Sequence, residues 1–417
     1  MMQDKKPLFS NYQKWVVALL ALTQFTVVLD FMVMSPLGDQ LMKSMKITPS
    51  QFGFVVSSYA FSAGVSGLLT AGFADKYDRK KLLLFFYIGF IVGTLFCGLA
   101  PTYETIVAAR VLTGLFGGVI GSISMAIITD LFNLEQRGRV MGFVQMGFGA
   151  SQVLGIPISL YLANIWGWQS PFLMIVGLSI ILTIVIIQMM RPVDQHLKHQ
   201  SERKAGAHLW HTLTKHDYRI GFLATALMSI GGFMMMPFGS VYAINNLKVT
   251  PQQLPLIFMV AGISSLIIMP FIGRLSDKID KYKLFTGASL WMVVMILIYT
   301  NLGIVPLGII IFFNVLMMAG IMSRMVPATT MISALPVLQD RGAFMSINSS
   351  LQQIAGGIAS FVAGLIVVQK DNFSPLEHYN TLGGVAAVIT LLCILMMYRV
   401  NRLIKRQQNQ SAEIQVV

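Results

Sequence analysis

The chain has 417 residues, 55% of them hydrophobic and only 11% charged, with a formal net charge of +13. A soluble globular domain carries about 25% charged residues, so a water-soluble enzyme or binding module is excluded: no aqueous fold of this length could bury so much apolar surface. A basic excess can mark a nucleic-acid binder, but here the cations sit between long apolar runs, a distribution set by membrane topology.

The runs are long enough to cross a bilayer. Roughly 20 apolar residues cover about 30 Å as a helix, the thickness of the hydrocarbon core. In lipid the backbone must satisfy its own hydrogen bonds, so each run reads as a helix. The alternating ten-residue segments of a β-barrel are not found. In chain order the runs predict twelve spans, at about 15–40, 52–73, 82–101, 105–130, 140–163, 171–190, 220–243, 254–274, 284–302, 306–333, 343–368 and 381–399. The fold class is an all-α membrane protein. The first run ends without a small-residue cleavage site and reads as a retained helix. Cys97 and Cys393 fall inside runs and offer no disulfide framework.

The basic residues orient the chain. Of 30 Lys and Arg, 24 lie at the termini, in the central polar stretch or in loops on that same side; four lie on the other side, and Arg110 and Arg324 lie within spans. The positive-inside rule makes both termini and the central stretch cytoplasmic. The net charge is then topology plus attraction to anionic lipid, with no nucleic-acid partner.

The chain also repeats itself. Asp75–Asp78 and Asp277–Asp280 share D-K-x-D at an offset of 202 residues. Arg137-Gly138 opens span 5 as Arg341-Gly342 opens span 11, 204 residues later. Two six-helix halves follow, 1–190 and 220–400, joined by a cytoplasmic linker, 191–219, and ending in a cytoplasmic tail, 401–417. Parallel halves of this kind place a substrate site near the midplane, where they meet.

With these features the sequence resembles the major facilitator superfamily over nearly its whole length. Asp75, Lys76, Arg79 and Lys80 match the family's G-x-L-A-D-R-x-G-R-K loop, and Gly273, Leu275, Asp277, Lys278 and Lys281 match it again after span 8; Asp78 and Asp280 replace its second glycine. Arg110 and Gly114 match the R-x-x-x-G of span 4, and Gly147, Gly149, Gly155 and Pro157 resemble a worn antiporter motif in span 5. The best match is to the twelve-helix drug:proton antiporters and small-metabolite exporters. The resemblance implies two pseudo-symmetric six-helix bundles and a latch of Asp75, Arg79 and Asp130, with Asp277 and Lys281 as counterparts, that holds the outward-open state.

The buried charges carry the chemistry. An ionisable residue deep in a span is costly and functional by default. Asp30 lies deep in span 1, and the long side chain of Arg110, nearer the outer end of span 4, can bring the two charges to similar depths. Burial favours the neutral acid and a nearby guanidinium the carboxylate, so the two form a candidate proton-coupling pair; a structural salt bridge between spans 1 and 4 is the plainer alternative. Arg324 in span 10 is a candidate for an anionic substrate group or for the inner gate. With Asp30 ionised these three sum to +1, which disfavours a purely cationic substrate. Polar or polarizable residues within spans are the other cavity candidates: Gln24, Tyr59, Gln145, Gln152, Met235, Asn314, Asn348, Gln352 and Gln353. Gly114, Gly118, Gly147, Gly149 and Gly155 suit close helix packing. No acidic or cysteine cluster surrounds His196, His199, His208 and His211, which read as a solvated loop, so no metal is expected. With no Walker A or H-E-x-x-H sequence, no enzymatic activity and no cofactor are expected, and a proton gradient is the energy source.

The resulting expectation is a monomeric secondary active transporter of a bacterial-type inner (plasma) membrane, exporting small, partly hydrophobic organic molecules against protons. Alternatives are proton-coupled uptake of an organic anion on Arg324 and Arg110, a lipid flippase whose methionines admit acyl chains, and a non-transporting membrane sensor.

Overall fold

The computed structural model describes residues 9–70, 76–194, 197, 205–337 and 339–416. Twelve of its helices are long and apolar enough to cross a membrane: Asn11–Val33, Pro49–Thr70, Arg79–Leu99, Tyr103–Leu131, Gln136–Trp166, Ser170–Met189, His216–Asn245, Leu254–Lys278, Lys281–Thr300, Leu307–Ser333, Arg341–Ile366 and Tyr379–Gln407, here spans 1 to 12. The last helix runs on through Val416 instead of ending near 399. Among the described residues the sole β pairing is an isolated bridge, Val368 to Glu377. With twelve spans, the start of span 1 and the end of span 12 lie on one face, here the basic face; the opposite one is the far face.

Side chains of the loops start the helices. Asp78 accepts from the backbone N–H of Lys80 at 2.7 Å and of Lys81 at 3.2 Å, and Asp280 from that of Lys283 at 3.0 Å. A carboxylate there satisfies orphan donors and suits the positive helix end. This accounts for both departures from the family loop: the aspartates that replace glycine cap spans 3 and 9. The Lys283 N–H, with Lys405 at 3.7 Å adding to it, holds the Asp280 carboxyl below its usual range. On the far face the backbone N–H groups of Thr48 and Thr250 donate to the side chains of Gln51 and Gln253, at 2.9 and 3.1 Å.

Spans 1 and 7 are broken, which corrects their expected continuity. Span 1 ends at Val33, turns through Met34–Leu37 and resumes as a far-face arm, Gly38–Met45. Span 7 loses its α geometry at Met234–Phe238 and resumes as the arm Gly239–Asn245. Pro36 and Pro237 mark the breaks at matching places, each with a glycine two residues on. Proline removes an N–H and its ring clashes with the carbonyl four residues back, so the ladder parts there.

The halves, spans 1–6 and 7–12, meet along two seams. Span 2 lies against span 11 so closely that a Cβ on Gly53 would sit 2.7 Å from the Ser360 carbonyl, and one on Gly64 would sit 2.9 Å from that of Ser350. Span 5 lies against span 8, where Ser265 Oγ donates to Gln152 Oε1 at 3.1 Å and Asn164 Nδ2 donates to the Pro251 carbonyl at 2.9 Å. Within span 5, Ser151–Gly155 forms a π-helical turn. Toward the basic face, Gln145, Thr329, Ser349 and Gln352 are exposed though they lie within spans. Polar groups so placed suit water better than lipid, so we read the space between the halves as a cavity open to the basic face, with the far face closed by the two arms.

Candidate functional site

Close packing assembles the charge pair. A Cβ on Gly118 would sit 2.6 Å from Ala63 Cα, so spans 2 and 4 touch by backbone; one on Gly114 would collide with the Tyr59 carbonyl and Ser62. One on Gly93 would sit 2.7 Å from Thr113 N, so span 3 presses equally on span 4. These approaches bring four side chains together. Arg110 Nη1 donates to Asp30 Oδ2 at 2.8 Å, and Thr94 Oγ1 donates to Asp30 Oδ1 at 3.2 Å. The Arg110 guanidinium lies 4.5 Å from the centroid of the Tyr59 ring. Asp30 and Arg110 are both 0% exposed, and Arg110 Nε and Nη2 have no hydrogen-bond partner among the described residues. A buried charge is tolerated only when paired, so each member offsets the cost of burying the other.

An aromatic path leads from the pair to the other half. The Tyr59 and Phe31 rings are 5.2 Å apart, and Phe31 is 5.8 Å from Phe233 of span 7. Phe233 is the last helical residue before the span 7 break, and a Cβ on Gly356 of span 11 would sit 3.1 Å from its ring. Met235, in the break, is buried. A chain of ring contacts thus runs from span 7 to the guanidinium.

The structure places the other candidates variously. Gln145 and Gln352 are exposed, while Gln24 and Gln353 are half-buried. Gln152 bonds across the span 5–8 seam. Asn348 accepts from Thr225 Oγ1 at 2.6 Å within its own half, and Asn314 Nδ2 donates to the Ile310 carbonyl of its own helix at 2.9 Å. Gly147 packs on the Ala21 carbonyl and Gly155 on Leu29, both in span 1, while Gly149 packs on Leu266 in span 8; Pro157 lies in the first turn after the π segment. Arg324 is buried in its own half, with its guanidinium 5.7 Å from the Phe285 ring centroid and beside Cys393.

At the basic face Arg79 Nε donates to Asp130 Oδ2 at 3.2 Å. Asp75 lies outside the described residues. Lys80 does more than fix topology, because its Nζ donates to the carbonyls of Ile187 at 2.9 Å and Met190 at 2.5 Å and so caps span 6. Asp277 is exposed at the end of span 8 and Lys281 opens span 9. In the second half Lys215 Nζ donates to Asp340 Oδ2 at 2.9 Å, which raises the lysine's pKa. His196 and His199 lie outside the described residues; among those described, no cluster of three His, Cys, Asp or Glu could hold a metal.

Sequence reasoning missed Phe31, Thr94 and Phe233. Phe31 follows the flagged Asp30, and Phe233 precedes a proline in a span, so both had a signal; Thr94 had none.

Residues 20–219 and 221–415 match the family model described as Major Facilitator Superfamily. An uncharacterized MFS-type transporter, YceJ, of Bacillus subtilis (strain 168) is 24% identical over 396 residues, 94% of this chain and 97% of that protein. Multidrug resistance protein 2 of the same organism is 20% identical over 361 residues, 85% of each chain. The fold matches a bacterial homolog of the human lysosomal transporter Spinster in an inward-facing, unoccupied conformation, with a TM-score of 0.76 at 14% identity over 95% of this chain and 98% of that one.

Proposed function

The chain belongs to the major facilitator superfamily, and from that premise we propose that it exports small, partly hydrophobic organic molecules in exchange for protons, by alternating access. We place it in a plasma (inner) membrane with the basic face, and so both termini, in the cytoplasm. The observation that carries this reading is the sealed Asp30–Arg110 pair and its aromatic link to the second half.

With the cavity open to the basic face, the carboxylate is ion-paired, which is the state expected after its proton has left to the cytoplasm. Substrate then enters between the halves and meets Phe31, Phe233 and Met235, side chains suited to partly hydrophobic molecules. Movement of Phe31 and Tyr59 loosens the pair as the cavity turns outward, and Asp30 takes a proton from outside. That proton discharges the carboxylate and frees Arg110 until the return. The name of the Bacillus relative, a multidrug resistance protein, supports export over uptake.

A substrate screen in proteoliposomes with an imposed pH gradient tests the reading. Protons leaving the lumen as substrate enters are the expected result. Co-movement of the two would replace export with symport, and substrate flux indifferent to the gradient would remove the proton from the cycle.

A further inference from the structure

The far face is shut by more than packed backbone. Asp39, in the first turn of the arm Gly38–Met45, is 2% exposed. Its Oδ1 accepts from Asn245 Nδ2, on the arm of the other half, at 2.7 Å, and its Oδ2 accepts from Lys43 Nζ at 2.9 Å. Lys43 Nζ also donates to Asn245 Oδ1 at 3.4 Å and lies 5.0 Å from the centroid of the Phe373 ring. A carboxylate, an amide and an ammonium thus close a triangle across the interface. Around it, Asn372 Nδ2 donates to the Met42 carbonyl and Ser240 Oγ to the Ser35 carbonyl, each at 2.7 Å.

The placement gives the triangle its meaning. It joins the two segments that the breaks at Pro36 and Pro237 separate from the rest of their spans. Charge-assisted bonds between partly buried groups are stronger and more directional than neutral ones. When the halves part at this face the arms separate, so the Asp39–Asn245 bond cannot survive the opening.

We propose that Asp39, Asn245 and Lys43 are positioning residues for transport: a polar lock that holds the far face shut while the cavity is open to the basic face, and that breaks and re-forms once in every cycle. This rests on alternating access, and is independent of whether Asp30 carries the proton. Because Lys43 Nζ is within reach of both positions, 39 and 245, the carboxylate can stand on either arm. The lock therefore predicts that exchanging the two residues preserves it.

The test uses the full chain in lipid nanodiscs, with spin labels at Lys46→Cys and Lys248→Cys, exposed positions just beyond the two arms, and pulsed electron paramagnetic resonance distances. The labelled parent should show mainly the short, closed distance. Asp39→Asn sets amide against amide and takes the carboxylate from Lys43, so the ratio of open to closed should rise on the order of tenfold to a hundredfold. Adding Asn245→Asp to that variant should restore the parental distribution, an outcome that loss of general stability cannot produce. Asn245→Ala, which leaves the Asp39–Lys43 pair intact, should open the face in the same direction and serves if Asp39→Asn does not fold. An unchanged distribution in Asn245→Ala, or a reciprocal double variant as open as the single, overturns the proposal. The readout needs neither substrate nor a pH gradient, so a failure here and a failure of proton coupling are told apart.

Discussion

Asp30→Asn takes the charge from the buried pair and keeps its shape. Removing one member of a buried ion pair costs about 3–5 kcal/mol, because the other charge is left without compensation. The asparagine oxygen can still accept from Arg110 Nη1, and its amide can turn to Thr94 Oγ1, the two contacts now made at 2.8 and 3.2 Å. Those retained bonds return about 1 kcal/mol, leaving an expected loss of about 2–4 kcal/mol. Arg110→Met should cost as much or more, since the carboxylate then keeps only Thr94. The double variant removes both charges and fills the site with an apolar chain, so it should recover most of the loss. Thermal unfolding of the four proteins measures this cycle. Transport on the same preparations separates stability from coupling: flux driven by a pH gradient should vanish in Asp30→Asn and in the double variant, while downhill exchange of substrate for substrate survives in the double. Full gradient-driven flux in Asp30→Asn would refute the carrier role. Equal loss of every flux in proportion to lost protein would leave the pair as a structural tie.

Reporters fused after Val417 and inserted within 191–219 should both read cytoplasmic, and one at Asn372 external; an external signal from the linker would undo the two-half orientation. Arg79→Ala or Asp130→Asn should lower transport while the protein remains inserted, with a bias between states of about 1–3 kcal/mol, read as altered labelling of single cysteines in the cavity; unchanged labelling with normal transport would reduce the pair to a surface contact. Gly53→Val should loosen the span 2–11 seam, because its Cβ would lie 2.7 Å from the Ser360 carbonyl; far-face cysteines should label faster, and an unaltered rate would mean the seam does not hold that face closed.

Much of this architecture is written in hydropathy, since lipid forces each long apolar run into a helix. The meeting of Asp30 and Arg110 was legible for a related reason: a buried carboxylate and a long cationic side chain within its reach have few other ways to be stabilised. Direction within a span is harder to read. Arg324 lies deep, but depth does not say which way a side chain turns, and it turns toward Phe285. The breaks in spans 1 and 7 escape a hydropathy reading because Met, Pro and Leu keep the runs apolar through them. Yet Pro36-x-Gly38 recurs as Pro237-x-Gly239 at an offset of 201, and Thr48-Pro49-x-Gln51 recurs as Thr250-Pro251-x-Gln253 at 202, the offset of the loop motif. Those repeats announce both the breaks and the capped starts of spans 2 and 8. No comparable pattern joins Asp39 to Asn245, 206 residues away. The tail was read as separate because its charge ends the hydrophobic run, whereas the backbone ladder continues unaffected.

The π-helical turn at Ser151–Gly155 fixes the length of span 5 to the residue. Such a turn absorbs one residue beyond an α-helical count, and one residue rotates everything beyond it by about 100° at 3.6 per turn. Before the turn, Gly147 rests on span 1 and Gly149 on span 8; after it, Asn164 still reaches Pro251. Deleting a single residue there would restore an ordinary helix and leave the hydrophobic count untouched. It would also swing Asn164 away from both Pro251 and Gln40, to which it is bonded at 2.6 Å. The span would still insert, and the seam would lose its register. Insertions and deletions, usually borne by loops, are thus a sharper probe of this helix than any substitution.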